Sequence, residues 1–142
     1  YEDPTRPQLS TAFSKRDAFV FRISEMYLIA AEAEMMRGNL ERAAEIMNEL
    51  RRARSVEGKE DEMEIDPSVL DIDFILDERA RELATEYQRF FDLRRTGKLI
   101  ERVTEYNLDA APNIKEFHGY RFIPQNQIDA MTDGTAYQNP GY

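Results

Sequence analysis

The feature that most constrains this chain is a pair of apolar stripes at helical spacing, separated by a short turn signal. Gly38 can adopt the left-handed conformation that ends a helix, and Asn39 can cap the next helix. We therefore expect one helix from about Phe19 to Arg37 and an antiparallel one from Leu40 to about Arg54. The stripe of the first helix consists of Ile23, Met26, Tyr27, Ala30 and Ala31. The stripe of the second consists of Leu40, Ala43, Ala44, Met47 and Leu50.

A third and longer helix is expected to begin near Asp71. Its periodic pattern continues to Phe90 and Phe91, and Gly97 marks its end after a basic last turn. The residues expected on its buried face are Ile72, Ile75, Leu76, Ala80, Leu83, Ala84 and Tyr87. A short helix is expected to follow, with Leu99, Ile100 and Val103 on its apolar side.

Three segments lack this periodicity. Residues 1–18 predict an extended arm or a connection from an upstream segment, and residues 57–71 predict an acidic surface loop. Beyond Asn107 the turn signals of Pro and Gly predict a long irregular tail that wraps over the helices, with one short helix at about 127–131. The fold class is therefore mainly all-α, with one helical domain over residues 19–142.

Within the first hairpin, Tyr27, Ala31, Gly38 and Ala43 have the spacing of the bulky, small, turn and small positions of a tetratricopeptide (TPR) unit. The two alanines would let the helix backbones approach closely, as in any tightly packed helix pair. The third helix does not repeat this spacing. The pattern predicts a single TPR-like hairpin and not a repeat array.

Composition excludes several functions. The net charge is -9, which opposes binding to nucleic acid. The chain has no Cys, so disulfides and thiolate metal sites are excluded. It contains no nucleotide-binding glycine motif and no triad arrangement around its single His118, so neither a cofactor nor a catalytic residue is expected.

The charges of the third helix allow two interpretations. Glu78, Glu82 and Glu86 recur every four residues, and three aligned carboxylates could hold a metal ion. A metal site in a helix bundle normally also has His ligands from facing helices, and the chain offers none there. We therefore expect no metal site but a structural network of ion pairs. Its members are Glu78, Arg79, Glu82, Glu86, Arg89, Asp92 and Arg95.

Aromatic residues in and before the tail are the candidates for ligand binding. Tyr106, Phe117 and Tyr120 could stack against a sugar ring if they are exposed. The alternative is that they anchor the tail on the helices, which is the commoner use of aromatics in a loop.

Four sequence blocks, in order, resemble the SusD/RagB family. RISEMYLIAAEA at 22–33 and NELR at 48–51 resemble the first two helices of its C-terminal part. LDERARELATE at 76–86, with FDLRR at 91–95, resembles its charged helix, and QNPGY at 138–142 resembles its terminal motif. The resemblance covers about residues 19–142.

The resemblance implies a lipid-anchored protein on the extracellular face of a Bacteroidetes-type outer membrane. Such a protein binds an oligosaccharide or another nutrient without chemical change, and works with a SusC-like TonB-dependent transporter. The family's lipid-attachment Cys and large N-terminal portion are absent from these 142 residues. We expect the chain to be a fragment whose partners include that missing portion of the same protein. The alternative function is a standalone TPR-like module that binds peptides.

Overall fold

The computed structural model describes residues 20–132, 134 and 137–142, and over these residues it contains helices and no β-strand. The prediction of a mainly α-helical fold is confirmed. The predicted arm at 1–18 lies outside the described residues. The α-helices are α1 (Ile23–Met36), α2 (Leu40–Arg52), α3 (Ile72–Glu82), α4 (Arg89–Arg95), α5 (Leu99–Tyr106) and α6 (Gln125–Asp129). Short 3-10 helices occur at Asp61–Met63, Pro67–Val69 and Glu116–Gly119.

The chain consists of two compact units, and the boundary between them lies between Glu82 and Leu83. Unit 1 contains α1, α2 and α3, whereas unit 2 contains α4, α5, α6 and the tail. None of the described helices combines the length and the apolar character that crossing a membrane requires.

The helical hairpin of α1 and α2 forms as expected. Gly38 has a φ of +82°, and its N–H bonds to the carbonyl of Met35, so it ends α1 in the left-handed conformation. Ala31 and Ala43 are both completely buried, which places small residues where the helices pack. On α2 the stripe is buried as predicted, except that Leu40 is exposed at the start of the helix and Ile46 joins the buried face.

The predicted buried face of α1 is wrong in most of its residues. Ile23 and Met26 are exposed, Tyr27 and Ala30 are half-buried, and Ala31 is fully buried as predicted. Helical periodicity identifies residues that share a face, but it does not decide which face is covered. The buried residues of α1 are Ser24, Glu25, Leu28, Ala31 and Glu32.

Side-chain amide and guanidinium groups fix residues 57–71 against α2. Asn48 donates from Nδ2 to the carbonyl of Ile65 at 3.1 Å and accepts the Ile65 N–H at 2.9 Å. Arg51 donates from Nε to the carbonyl of Met63 at 2.7 Å. Leu70 is buried at the end of the segment. The segment therefore has a defined path although it contains only two 3-10 helices.

The prediction of one long third helix is also wrong, because α3 ends at Glu82 and α4 begins at Arg89. The Arg22 guanidinium donates to the backbone carbonyl of Glu82 at 2.7 Å. A continuing helix would give this carbonyl to the N–H of Glu86, which instead bonds to the carbonyl of Leu83. Arg22 thus caps α3 from a point 60 residues earlier in the chain.

The residues after this break do not follow the predicted helix face. Thr85 and Tyr87 have φ values of 69° and 62°, a left-handed conformation that side chains with a Cβ rarely adopt. Tyr87 was expected to be buried and is 92% exposed, and Ala80 and Ala84 are exposed as well. Leu83 is buried, but it belongs to unit 2.

Candidate functional site

The site is built on the last five residues, which clamp the chain around residues 117–123. Gln138 Oε1 accepts the Ile123 N–H at 2.7 Å, and its Nε2 donates to the Ile123 carbonyl at 2.8 Å. Asn139 Nδ2 donates to the carbonyl of Arg121 at 2.6 Å. These bonds satisfy backbone groups of an irregular segment, which has no helix or sheet to satisfy them. We call residues 138–142 with these bonds the C-terminal clamp.

An aromatic cluster completes the clamp. The Tyr142 hydroxyl donates to the carbonyl of Tyr120 at 2.8 Å, and its ring meets the Phe117 ring edge-on at a centroid distance of 5.1 Å. Gly141 has a φ of +99°, and a Cβ at this position would collide with the ring of Phe117. Only Gly fits there, so the close approach of the last turn to Phe117 depends on it.

An open cavity of about 590 Å³ lies beside the clamp in unit 2. Its apolar lining comes from Leu99 and Ile100 of α5, from the rings of Phe117 and Tyr120 and from Pro140 of the clamp, whereas Arg94 and Glu116 supply charged groups. The volume is in the range of sites that hold small ligands. The lining residues are Arg94, Gly97, Leu99, Ile100, Glu116, Phe117, Gly119, Tyr120 and Pro140.

Arg94 and Tyr120 form the polar and aromatic edge of the cavity. The Arg94 guanidinium carbon lies 5.9 Å from the centre of the Tyr120 ring, a cation–π distance that orients both groups. Tyr120 is 57% exposed, so its ring is accessible. An accessible ring beside guanidinium donors and the carboxylate of Glu116 can bind a ring that carries hydroxyl groups.

Two of the three predicted aromatic candidates line this cavity. Phe117 forms part of its wall and Tyr120 its edge, whereas Tyr106 does not line it and instead lies over Arg102, 5.3 Å from the guanidinium carbon. The sequence did not identify Arg94, which was assigned to a basic helix end, or Glu116. Arg94 lies beside Phe117 and Tyr120 at this cavity only in the folded chain, because more than 20 residues separate them in sequence.

In unit 1 the charges of α3 pair with α1 and α2. Glu78 accepts hydrogen bonds from Arg51 and Arg81, each at 2.6 Å, and is almost fully buried. Arg79 is also buried, with Nη2 3.9 Å from the carboxylate of Glu25. These pairs join all three helices of unit 1 through buried groups. Breaking a buried pair is costly because it leaves an uncompensated charge.

Among the described residues, Glu82 has the pKa that is shifted furthest from its ordinary value. Arg54 donates to both of its carboxylate oxygens, at 2.7 and 2.9 Å, and Arg22 donates to Oε1 at 3.0 Å. The hydrogen bonds from Arg54 are the main cause that lowers the pKa of Glu82 from 4.5 to about 2; Ser24 and Arg22 lower it further, and burial opposes them. Glu82 is therefore ionised at any ordinary pH.

The other members of the predicted network lie in unit 2. Asp92 is buried and accepts hydrogen bonds from Arg95, the shorter at 3.1 Å. Glu86 and Arg89 belong to this unit as well, because α3 ends before them. Among the described residues, no group of three or more His, Asp or Glu side chains is arranged to hold a metal ion. A structural role for the whole set, Glu78, Arg79, Glu82, Glu86, Arg89, Asp92 and Arg95, stays a prediction.

Comparison with known proteins gives two matches. The sequence model of the SusD family matches residues 4–142. The SusD-like protein P38 of Formosa agariphila is 32% identical over 106 residues, which is 66% of this chain and 20% of that protein. The chain thus spans about a fifth of the length of this curated relative. No solved structure matches the chain.

Proposed function

This chain belongs to the SusD family, and we propose that it is the C-terminal part of a cell-surface lipoprotein that binds a glycan or another nutrient. The family match over residues 4–142 is the observation that carries this proposal. The protein would sit at the outer face of an outer membrane, with its lipid anchor in a segment outside this chain. It would deliver its ligand to a SusC-like TonB-dependent transporter.

Within this function, unit 1 is a scaffold. Its core is aliphatic and its buried charges pair with each other, as in Arg51 with Glu78. Groups that are buried and paired in this way hold helices together and are not available to a ligand. The role of unit 1 would be to position other surfaces of the protein.

The cavity of unit 2 is the candidate contact for the ligand. Tyr120 would stack on one face of a pyranose ring, and Arg94 and Glu116 would bond to its hydroxyl groups as donor and acceptor. The side chains that line the cavity include one carboxylate, Glu116, whereas glycoside hydrolysis normally uses two carboxylates that flank the scissile bond. The cavity therefore favours binding without chemical change.

Affinity gel electrophoresis against a panel of soluble neutral and acidic polysaccharides tests this proposal. We expect retardation of the full-length protein, and loss of most of it in Tyr120→Ala and Arg94→Ala. For each of these two variants we expect a Kd increase of about tenfold, which corresponds to a loss of ~1.4 kcal/mol in the free energy of binding. Tyr137→Ala is the matched control, because Tyr137 is a more exposed aromatic of the same tail and does not line the cavity.

Tyr120→Phe distinguishes a loss of ring stacking from a loss of folding, since it keeps the aromatic ring. The clamp should also be kept, because the Tyr142 hydroxyl bonds to the backbone of residue 120 and not to its side chain. This variant should retain binding. If both Tyr120 variants and Arg94→Ala bind as well as the unchanged protein, the ligand site lies outside the cavity. If the full-length protein retards on no polysaccharide, the glycan part of the proposal is wrong, and a peptide or another nutrient becomes the ligand to test.

A further inference from the structure

Two arginines of unit 2 lie on aromatic rings where residues 120 and 121 pass α4. The guanidinium carbon of Arg121 lies 4.4 Å from the centre of the Phe90 ring and 5.7 Å from that of the Phe91 ring. In the opposite direction, Arg94 of α4 lies over the ring of Tyr120, the residue before Arg121. Reciprocal cation–π contacts therefore join this segment to α4, and Arg94 and Arg121 are both exposed.

These two guanidinium groups have no acidic partner. Among the described residues, no Asp or Glu side chain lies within ion-pair distance of Arg94 or Arg121. The neighbouring Arg95 pairs with Asp92 at 3.1 Å, and Arg51 of unit 1 pairs with Glu78 at 2.6 Å. Acidic residues outnumber basic ones by 28 to 19 in the sequence, so a shortage of carboxylates does not explain the difference.

A guanidinium group on an aromatic ring is well suited to bind an anion. The ring covers one face of the group and leaves the N–H donors in its plane free. Those donors form a planar fork that matches the paired oxygens of a carboxylate or of a tetrahedral oxyanion, whereas a neutral hydroxyl leaves the positive charge uncompensated. The contacts of Arg94 and Arg121 therefore favour a ligand with negatively charged groups.

The C-terminal clamp holds both contacts in place. Asn139 Nδ2 donates to the backbone carbonyl of Arg121 at 2.6 Å, and the Tyr142 hydroxyl donates to that of Tyr120 at 2.8 Å. The backbone that supports one guanidinium and one ring is thus fixed before a ligand binds. Such preorganisation lowers the entropy that binding costs.

The distribution of charge along the chain also permits an anionic ligand at unit 2. Residues 83–142 contain seven Lys and Arg and eight Asp and Glu, so they carry only -1 of the net charge of -9. The remaining -8 belongs to unit 1, which would repel a polyanion far more strongly. In the cavity, the carboxylate of Glu116 is not paired with Arg94, and it can accept hydrogen bonds from the hydroxyl groups of an acidic sugar.

We infer that the glycan bound by unit 2 is acidic, and that Arg94 and Arg121 bind its carboxylate or sulfate groups. Arg121 does not line the cavity, so it extends the candidate site beyond the cavity along α4. The rings of Phe91 and Tyr120 are each 57% exposed and would contact the apolar faces of the sugars. The inference rests on the proposed function, to which it adds the charge of the ligand and a second binding residue.

Calorimetric titration of the full-length protein with matched polysaccharides tests the inference. Polygalacturonate and other uronic-acid polymers are compared with their carboxyl-reduced forms, and sulfated galactans with their desulfated forms, so that the two members of a pair differ in charge. We expect the neutral member of a bound pair to have a Kd about tenfold higher or more, because hydrogen bonds between charged groups are the stronger ones. The carboxylate and sulfate pairs show which anion is bound.

Substitution of the arginines tests their part in this preference. In Arg121→Gln and in Arg94→Gln we expect the Kd for the acidic member to rise about tenfold and that for the neutral member to change by about twofold or less. The ratio of the two Kd values is the measured quantity, because damage to the fold would weaken the binding of both members alike. Arg121→Lys keeps the charge without the planar fork, so its ratio should lie between those of Arg121→Gln and the unchanged protein.

Arg42→Gln is the matched control, since Arg42 is an exposed arginine of unit 1 and its loss changes the net charge equally. Its ratio should be that of the unchanged protein, and an equal fall in Arg42→Gln and Arg121→Gln would overturn the inference in favour of net charge. Equal affinity for both members of every pair would also overturn it and leave glycan binding standing. Binding to poly-glutamate and to no polysaccharide would count against the proposed function itself and make an acidic peptide the ligand.

Discussion

Each unit fixes an irregular segment of its own with an amide side chain that bonds to the backbone, but the two units differ in what else stabilises them. Asn48 in unit 1 and Gln138 in unit 2 each exchange two hydrogen bonds with the backbone of an isoleucine, Ile65 and Ile123 respectively. Unit 1 adds an aliphatic core, in which Leu28, Met47, Ile75 and Leu76 are fully buried. Among the described residues of unit 2, the buried apolar side chains are Leu83, Leu93 and Leu99.

The two units therefore use different sources of stability. Unit 2 leaves many of its aromatic rings exposed, and the clamp stabilises it through hydrogen bonds to the backbone. A small apolar core supplies less stability, since burial contributes about 25 cal/mol per Å². Unit 1 should therefore resist unfolding through its core, and unit 2 through the clamp. Among the described residues of unit 2, the exposed rings are those of Tyr87, Phe91, Tyr106, Tyr120, Phe122, Tyr137 and Tyr142.

The largest expected effect is on the core of unit 1. Leu28→Ala removes a side chain with no exposure and leaves a cavity between helices, so we expect a loss of about 2–5 kcal/mol in the free energy of unfolding. Urea unfolding followed by far-ultraviolet circular dichroism measures it. Ile29→Ala is the control on the same helix, because Ile29 is 46% exposed, and it should cost about 1 kcal/mol or less. Equal losses would mean that the Ile29 side chain is packed as tightly as that of Leu28.

The next effect is on the clamp of unit 2. Gly141→Ala introduces a Cβ that collides with Phe117, at a φ of +99° that residues with a Cβ rarely adopt. We therefore expect the last turn to detach, with a loss of about 2–4 kcal/mol in the free energy of unfolding. The tyrosine signal in near-ultraviolet circular dichroism would report the changed packing of Tyr142. Gly134→Ala is the control, since Gly134 has a φ of +83° but nothing within 4 Å of the added Cβ. If the two variants lose the same stability, contact with Phe117 contributes nothing.

Much of this architecture is predictable from sequence because it is local. The hairpin follows from the stripe of α2, from Gly38 and from the small residues Ala31 and Ala43, and the family follows from ordered blocks of residues. The hairpin depends on neighbours within a few turns of helix, and each block of the family pattern is itself a short stretch of sequence. Period and turn chemistry are sufficient for such features.

What the sequence did not predict depends on residues far apart in the chain. The end of α3 is set by Arg22, whose guanidinium takes the carbonyl that a longer helix would need. The buried side of α1 includes Glu25 because Arg79 lies near it. Arg94 and Glu116 line the same cavity although 22 residues separate them in the chain. Periodicity contains no information about such pairings.

A smaller effect is expected for the ion pair at the end of α3. Glu82→Gln leaves Arg22 and Arg54 without their carboxylate, and we expect a loss of about 1–3 kcal/mol near pH 7, less than for a fully buried pair because Arg54 is half-exposed. Glu45→Gln, in an exposed pair with Arg42, should cost about 0.5 kcal/mol or less.

The same substitution predicts a pH dependence. The pKa of Glu82 is lowered from 4.5 to about 2 in the folded state, so its contribution is complete above the unfolded value and is lost as the pH falls through the folded value. The difference in stability between the unchanged chain and Glu82→Gln should therefore be constant at neutral pH and shrink between about pH 4.5 and pH 2. Urea titrations across this range measure it. A difference that does not change with pH would show that the carboxylate charge is not what stabilises the pair.

The smallest expected effect is on the shared amide device, and it compares the two units most directly. Asn48→Ala and Gln138→Ala each remove two hydrogen bonds to an isoleucine backbone, so each should cost about 1–2 kcal/mol. Hydrogen exchange distinguishes them. In Asn48→Ala the amide of Ile65 should exchange faster while the core amides of unit 1 stay protected, because the aliphatic core does not depend on that segment. In Gln138→Ala faster exchange should spread from Ile123 through unit 2, because the clamp supplies what its small core does not. Exchange confined to Ile123 would instead mean that the three buried leucines hold unit 2 together without the clamp.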